Sequence, residues 1–111
     1  MTKNDLNKYM TENPDFKQWS DELCEFLERK LPRGAGRFEI KVGLKFIKII
    51  YEGAAWGFVV IHDGTVFKGH THARGDLLKP ATFATPAAKS RGNIYDGTAR
   101  YSEYGPAYLR K

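Results

Sequence analysis

The spacing of apolar residues changes period along the chain. From residue 14 onward they return at helical intervals: Phe16, Trp19, Leu23, Phe26, Leu27 and Leu31 build one stripe, and Asp21, Glu22, Glu25 and Glu28 lie mostly off it. Asn13 is a good N-cap, and Pro14 fits the first helical position, where a missing N–H costs nothing. Asp15 suits the positive end of the helix. Pro32 stops the helix, because the residue before a proline avoids the α conformation. The pattern predicts one long helix over about 13–31. Ahead of it, Leu6, Tyr9 and Met10 fit a short helical turn or a frayed arm. Behind it, Arg33-Gly34-Ala35-Gly36-Arg37 reads as a flexible turn, since it lacks the spacing of a phosphate loop.

From Phe38 the period becomes two. Phe38, Ile40, Val42, Leu44 and Phe46 alternate with Glu39, Lys41, Gly43 and Lys45, and then the phase slips to Ile47, Ile49 and Tyr51. A bulge near Phe46, or a tight turn at Gly43 making two strands, absorbs such a slip. The bulged single strand is the reading favoured here. Glu52-Gly53-Ala54 then turns the chain into a second strand, Ala55 to His62. Asp63-Gly64 is the strongest hairpin signal, which would set His62 opposite Thr65, Ile61 opposite Val66 and Val60 opposite Phe67. Both faces of that hairpin are apolar, so each needs a cover.

Beyond Gly69 the segment is punctuated by glycine and proline. Thr85-Pro86 and Gly92 frame a short helical stretch over Pro86 to Arg91. The expected fold is α+β: one long N-terminal helix (about 13–31) packed on a three- or four-stranded antiparallel sheet (about 37–69). A loop-rich C-terminal segment (about 70–111) would complete a single domain over 1–111.

Composition narrows the class. With 111 residues, 41% hydrophobic and 28% charged, the chain can carry its own core and is not of low complexity. A single cysteine, Cys24, excludes an internal disulfide and points to a reducing compartment. No apolar run approaches the roughly 18 residues of a membrane span, and the start lacks the apolar stretch of a secretion signal. The expectation is therefore a cytoplasmic protein with no membrane partner.

The net charge of +5 divides unevenly. Residues 1–31 hold five Lys/Arg against seven Asp/Glu, and residues 32–111 hold thirteen against six. A basic surface of this kind attracts polyanions and acidic proteins alike.

Candidate chemistry is sparse. His62, His70 and His72 fall within eleven residues, and the latter two would point the same way from an extended segment. They are weak metal candidates, and ordinary surface histidines are the preferred reading. No metal or other cofactor is expected. Cys24 lies beside the helix stripe between Glu22 and Glu25, where a thiol packs rather than reacts. No nucleophile elbow or zinc-protease motif occurs, so no enzyme is expected, a metal-dependent enzyme acting through the histidines being the minor alternative.

The stronger candidate is a mixture of cations and rings: Arg74, Lys79, Phe83, Lys89, Arg91, Tyr95, Arg100, Tyr101, Tyr104 and Tyr108. Such a mixture serves single-stranded nucleic acid, with cations for phosphates and rings for bases. It equally serves a protein interface, or simple packing of tyrosines on a sheet.

Four stretches carry a resemblance: Lys45-Phe46-Ile47-Lys48-Ile49, Gly75-Asp76-Leu77-Leu78-Lys79-Pro80-Ala81, Pro86-Ala87-Ala88-Lys89 and Arg91-Gly92-Asn93-Ile94. Together they resemble a group of small conserved proteins of tailed bacteriophages, best over residues 38–95. Phe83 stands where that group leads one to expect tryptophan. The group brings no established activity, so no catalytic residue transfers. What it implies is a setting, the cytoplasm of an infected bacterium. The functional expectation is a small accessory protein that binds a host or phage protein complex without catalysis of its own. The alternative is a nucleic-acid-binding accessory protein (DNA or RNA) using the basic and aromatic C-terminal segment.

Overall fold

Two helices open the chain where one was expected. The computed structural model describes residues 3–30 and 37–107, with α1 at Lys3–Glu12 and α2 at Pro14–Lys30. Asn13 is the joint between them. Its backbone N–H and its side-chain amide both donate to the Tyr9 carbonyl at 2.9 Å, closing α1, while its own carbonyl accepts from the Lys17 N–H at 3.1 Å. Pro14 occupies the first position of α2, as its missing donor favours. The cap expected at Asn13 is replaced, because its side-chain oxygen is turned to Arg74. The stop expected at Leu31 and Pro32, and the turn over 33–36, lie outside the described residues.

The rest of the chain is mostly strand. Where three or four strands over about 37–69 were expected, β1 (Phe38–Val42), β2 (Phe46–Tyr51), β3 (Ala54–Val60), β6 (Asp76–Pro80) and β7 (Pro86–Asn93) form one five-stranded antiparallel sheet in the order β1-β2-β3-β6-β7. Two small pairs flank it: β4 (Thr65–Phe67) with β5 (His70–His72), and β8 (Tyr101–Ser102) with β9 (Gly105–Pro106).

Four expectations are corrected. The single bulged strand over 38–51 is two strands: Gly43 N–H donates to the Phe46 carbonyl at 2.9 Å, and the turn sets Val42 opposite Ile47. The phase slip is absorbed there, and a separate bulge leaves Trp56 of β3 as an extra residue between the pairs Ile49–Gly57 and Ile50–Ala55. The Asp63-Gly64 hairpin does not form. β4 pairs with β5, placing Thr65 opposite His72 and Phe67 opposite His70, and β3 pairs instead with β6. The two successive positive φ values that a type I′ turn needs occur at Glu52-Gly53 (55° and 77°) and Lys68-Gly69 (49° and 82°). Asp63 is drawn away to the Arg74 N–H at 2.7 Å.

Pro86 to Arg91 is strand rather than helix. A proline is tolerated at the first residue of an edge strand for the same reason as at a helix start, since no donor is needed there. The C-terminal segment is accordingly not loop-rich: β5 to β9 all fall in it.

The alternation of β1 to β3 gives the sheet two unlike faces. On the inner face, Ile47, Ile49, Tyr51, Val59 and Leu77 meet Phe16, Leu23 and Leu27 of α2. Burying those three α2 side chains contributes about 1.5–3 kcal/mol each, which is what fixes the helix to the sheet. The outer face holds a smaller cluster of Phe58, Val60 and Leu78, with Phe46 and Ala55 against it. No described helix is long and apolar enough to cross a membrane.

Candidate functional site: two cation and ring surfaces

The first surface is a junction around Arg74, on the short connection between β5 and β6. The guanidinium donates to both carboxylate oxygens of Asp15 at 2.9 Å and to the Asn13 side-chain oxygen at 3.0 Å. Its carbon stands 4.4 Å from the centre of the Tyr95 ring. Hydrogen bonding to Arg74 holds the Asp15 carboxyl below the usual carboxylate range, and the same bonds push Arg74 upward. Burial raises the Tyr95 phenol far beyond its ordinary value.

The backbone of the junction is equally committed. Asn93 donates from its amide to the Arg74 carbonyl (2.8 Å) and to Asp76 (3.1 Å), and its oxygen accepts from the Tyr95 N–H (2.8 Å). The other Asp76 oxygen lies 3.3 Å from His72 Nδ1. Gly75 has φ +92°, and a Cβ there would stand 2.3 Å from the Tyr95 ring, so only glycine fits beneath it. The Arg74, Asp15, Asn13, Asn93 and Asp76 side chains all bond within the chain, which makes the junction a clamp between α2 and the sheet, while the buried His72 Nε2 has no hydrogen-bond partner.

Of the other residues singled out in the sequence, Lys79, Arg91, Arg100 and Tyr101 meet around β8 and β9. The Arg100 N–H donates to the Arg91 carbonyl and its carbonyl accepts from the Ala107 N–H, both at 2.9 Å, and Tyr101 pairs with Pro106. Tyr101 packs edge-on to Trp19, Phe26 and Trp56 at 5.4–6.2 Å between centroids, inside the core. Arg91 donates from Nε to the Ala107 carbonyl at 2.7 Å, and burial lowers its pKa. Lys79 Nζ approaches the Pro106 carbonyl at 3.5 Å. Lys89 and Arg100 are exposed, as is Tyr104 at 81%. Tyr108 lies outside the described residues.

His70 and His72 do share one side of β5, with ring centroids 6.3 Å apart, but His72 is buried while His62 and His70 are exposed. Among the described residues no group of three or more His, Cys, Asp or Glu is placed to hold a metal ion. Burial pushes the Cys24 thiol up, and Glu28, 3.6 Å away, adds to the effect. The cations and rings expected along the C-terminal segment are therefore divided among the Arg74–Tyr95 junction, the region around β8 and β9, and Phe83 on the turn between β6 and β7.

A second surface lies on the outer face of the sheet. The β1–β2 register puts Lys41 directly opposite Lys48, and the β2–β3 register puts Lys48 opposite Phe58. Lys48 Nζ sits 3.4 Å from the centre of the Phe83 ring and 5.9 Å from that of Phe58. Phe83 comes from the turn between β6 and β7 and is 52% exposed. At the neighbouring end, Phe46 meets Phe58 at 6.3 Å and Phe67 at 5.1 Å, and Lys68 Nζ is 5.3 Å from the Phe67 ring.

Burial, and then the Lys41 charge, lower the Lys48 ammonium from its ordinary value. Like charges directly opposite on a sheet are destabilising. Glu39 shares this face but sits opposite Ile50. Among the described residues the ion pairs are Lys17–Asp21, His72–Asp76 and Arg74–Asp15, so neither Lys41, Lys48 nor Lys68 is neutralised. The far side of the molecule is opposite in sign, since α2 exposes Asp21, Glu22, Glu25 and Glu28. The sequence carried a signal for this surface: once the Gly43 turn is taken, the spacing of Lys41 and Lys48 dictates that they face each other.

No protein family, curated protein or solved structure matches the chain.

Proposed function

We propose that this is an accessory protein that works by binding rather than by making bonds, and that its ligand is nucleic acid held on the outer face of the sheet. The observation that carries the proposal is the opposed pair Lys41 and Lys48, without an ion pair among the described residues, with Lys48 set against the Phe83 ring. A fold that keeps two like charges opposed forgoes some stability, and a phosphate oxygen between them would reverse the sign of that term. The resemblance of residues 38–95 to small tailed-phage proteins supplies the setting within the same proposal, the cytoplasm of an infected bacterium.

A host or phage protein partner is the second reading. It is favoured by large apolar side chains standing in solvent, Leu44 at 93% and Tyr104 at 81% exposed, together with the acidic flank of α2.

The test is titration of a mixed set of oligonucleotides against salt, followed by polarisation. Binding at low salt is expected to weaken with rising salt, and Lys41→Gln with Lys48→Gln should flatten the slope of log affinity against log salt by about 1.4–1.8. No binding of any oligonucleotide at low salt would overturn the proposal. A protein recovered from infected cells despite nuclease treatment would transfer it to the second reading.

A further inference from the structure

Resting on that reading, we infer that the outer face selects single-stranded over duplex nucleic acid, with an unpaired base stacked on the free side of Phe83. Magnitudes decide between the two forms. Each duplex phosphate neutralised adds about 0.9 to the slope of log affinity against log salt, so phosphate contacts alone must be many to hold duplex at physiological salt. This face offers three cations, Lys41, Lys48 and Lys68, two of them touching rings. Three phosphate contacts give weak, strongly salt-dependent attraction, so useful affinity must come from elsewhere. Stacking of one base on an aromatic ring is worth about 1–3 kcal/mol, and only an unpaired base has a face to offer.

Phe83 is built for that use. It stands on a turn rather than inside a strand, and half of its surface is in solvent. One side of its ring is already occupied by the Lys48 ammonium at 3.4 Å, which leaves the other side for a base. The backbone of that nucleotide then runs toward the Lys48 and Lys41 side chains, which lie one strand spacing apart. The cation on the ring and the phosphate beside it are served by the same lysine, so charge and stacking act on one nucleotide. Phe46 and Phe67 extend the apolar floor toward Lys68.

The experiment compares a short labelled oligothymidine with a blunt duplex of equal length, by fluorescence anisotropy at low salt. Wild type, Phe83→Leu, Phe83→Tyr and the Lys41→Gln/Lys48→Gln pair are measured, each first checked for an unchanged circular dichroism spectrum and unfolding midpoint. The single strand is expected to bind at least tenfold tighter than the duplex. Phe83→Leu, which keeps an apolar side chain at that position but removes the ring, should weaken the single strand by about 5- to 150-fold and leave the duplex unchanged. Phe83→Tyr should restore the loss, and the lysine pair should weaken both forms.

Equal binding of duplex and single strand, or indifference of the single strand to Phe83→Leu, would overturn this inference while leaving nucleic-acid binding intact. Failure of both forms to bind would instead overturn the reading beneath it.

Discussion

Arg74 on Tyr95 and Lys48 on Phe83 are the same pairing of a cation with a ring, at 4.4 and 3.4 Å, and their surroundings give them opposite roles. Arg74 also has Asp15 and Asn13 within hydrogen-bond reach, so its charge is spent inside the chain and the pair acts as a clamp. Lys48 has another lysine opposite it and, among the described residues, no ion pair, so its charge is left open. A carboxylate within reach is what separates a charge used inside the fold from one left open, and neither residue type nor exposure alone predicts it.

The comparison can be broken most sharply at Gly75. Gly75→Ala forces a side chain into the left-handed region and into the Tyr95 ring, which should cost about 2–5 kcal/mol of stability in urea unfolding. A loss below 1 kcal/mol would mean that Tyr95 moves freely and that the clamp is loose.

Arg74→Met comes next. The bidentate pair is worth less than a buried one, because Arg74 is 31% and Asp15 51% exposed, so a loss of about 1 kcal/mol is expected at neutral pH. Asp15 has a depressed pKa in the folded chain, so the stability it adds is complete above its unfolded value of about 4 and disappears as pH falls through the folded one. Urea midpoints of wild type and Arg74→Met should therefore converge in acid. A constant gap down to low pH would assign the loss to packing on Tyr95 instead.

Smallest in energy is Lys41→Glu, which gives Lys48 the carboxylate it lacks. Stability should rise by about 0.2–1 kcal/mol, and oligonucleotide binding should fall, converting the open surface into a closed one. A drop in stability would show that the two lysines do not face each other.

What the sequence revealed and what it concealed divide along the same physical line. α2 was legible because its evidence is local: a proline start and a stripe of apolar residues within one element. The alternation in β1 and β2 was legible for the same reason. Turn chemistry misled, since Asp63-Gly64 looks better than Lys68-Gly69, yet tertiary bonding to Arg74 takes Asp63 out of the contest. Pro86 misled because a strand edge and a helix start make the same demand on it. Arg74 and Tyr95 of the clamp stand out in the sequence as a cation and a ring, and of the outer surface only Phe83 does. Lys41 and Lys48 are seven positions apart and become neighbours through the turn at Gly43, so they stay hidden as long as residues 38–51 are read as one bulged strand.

The clamp between Asp15 and Arg74 spans fifty-nine positions, and synthesis runs in one direction. At roughly 5–20 residues per second, the amphipathic α2 leaves the ribosome several seconds before the arginine that fastens its first turn exists. Through that interval Phe16, Leu23 and Leu27 have no sheet to lie on, so the nascent chain is at its stickiest early and becomes safe only when its middle third arrives. A cell making this protein in quantity would therefore feel its load at the chaperones that greet emerging chains, well before any finished molecule could act.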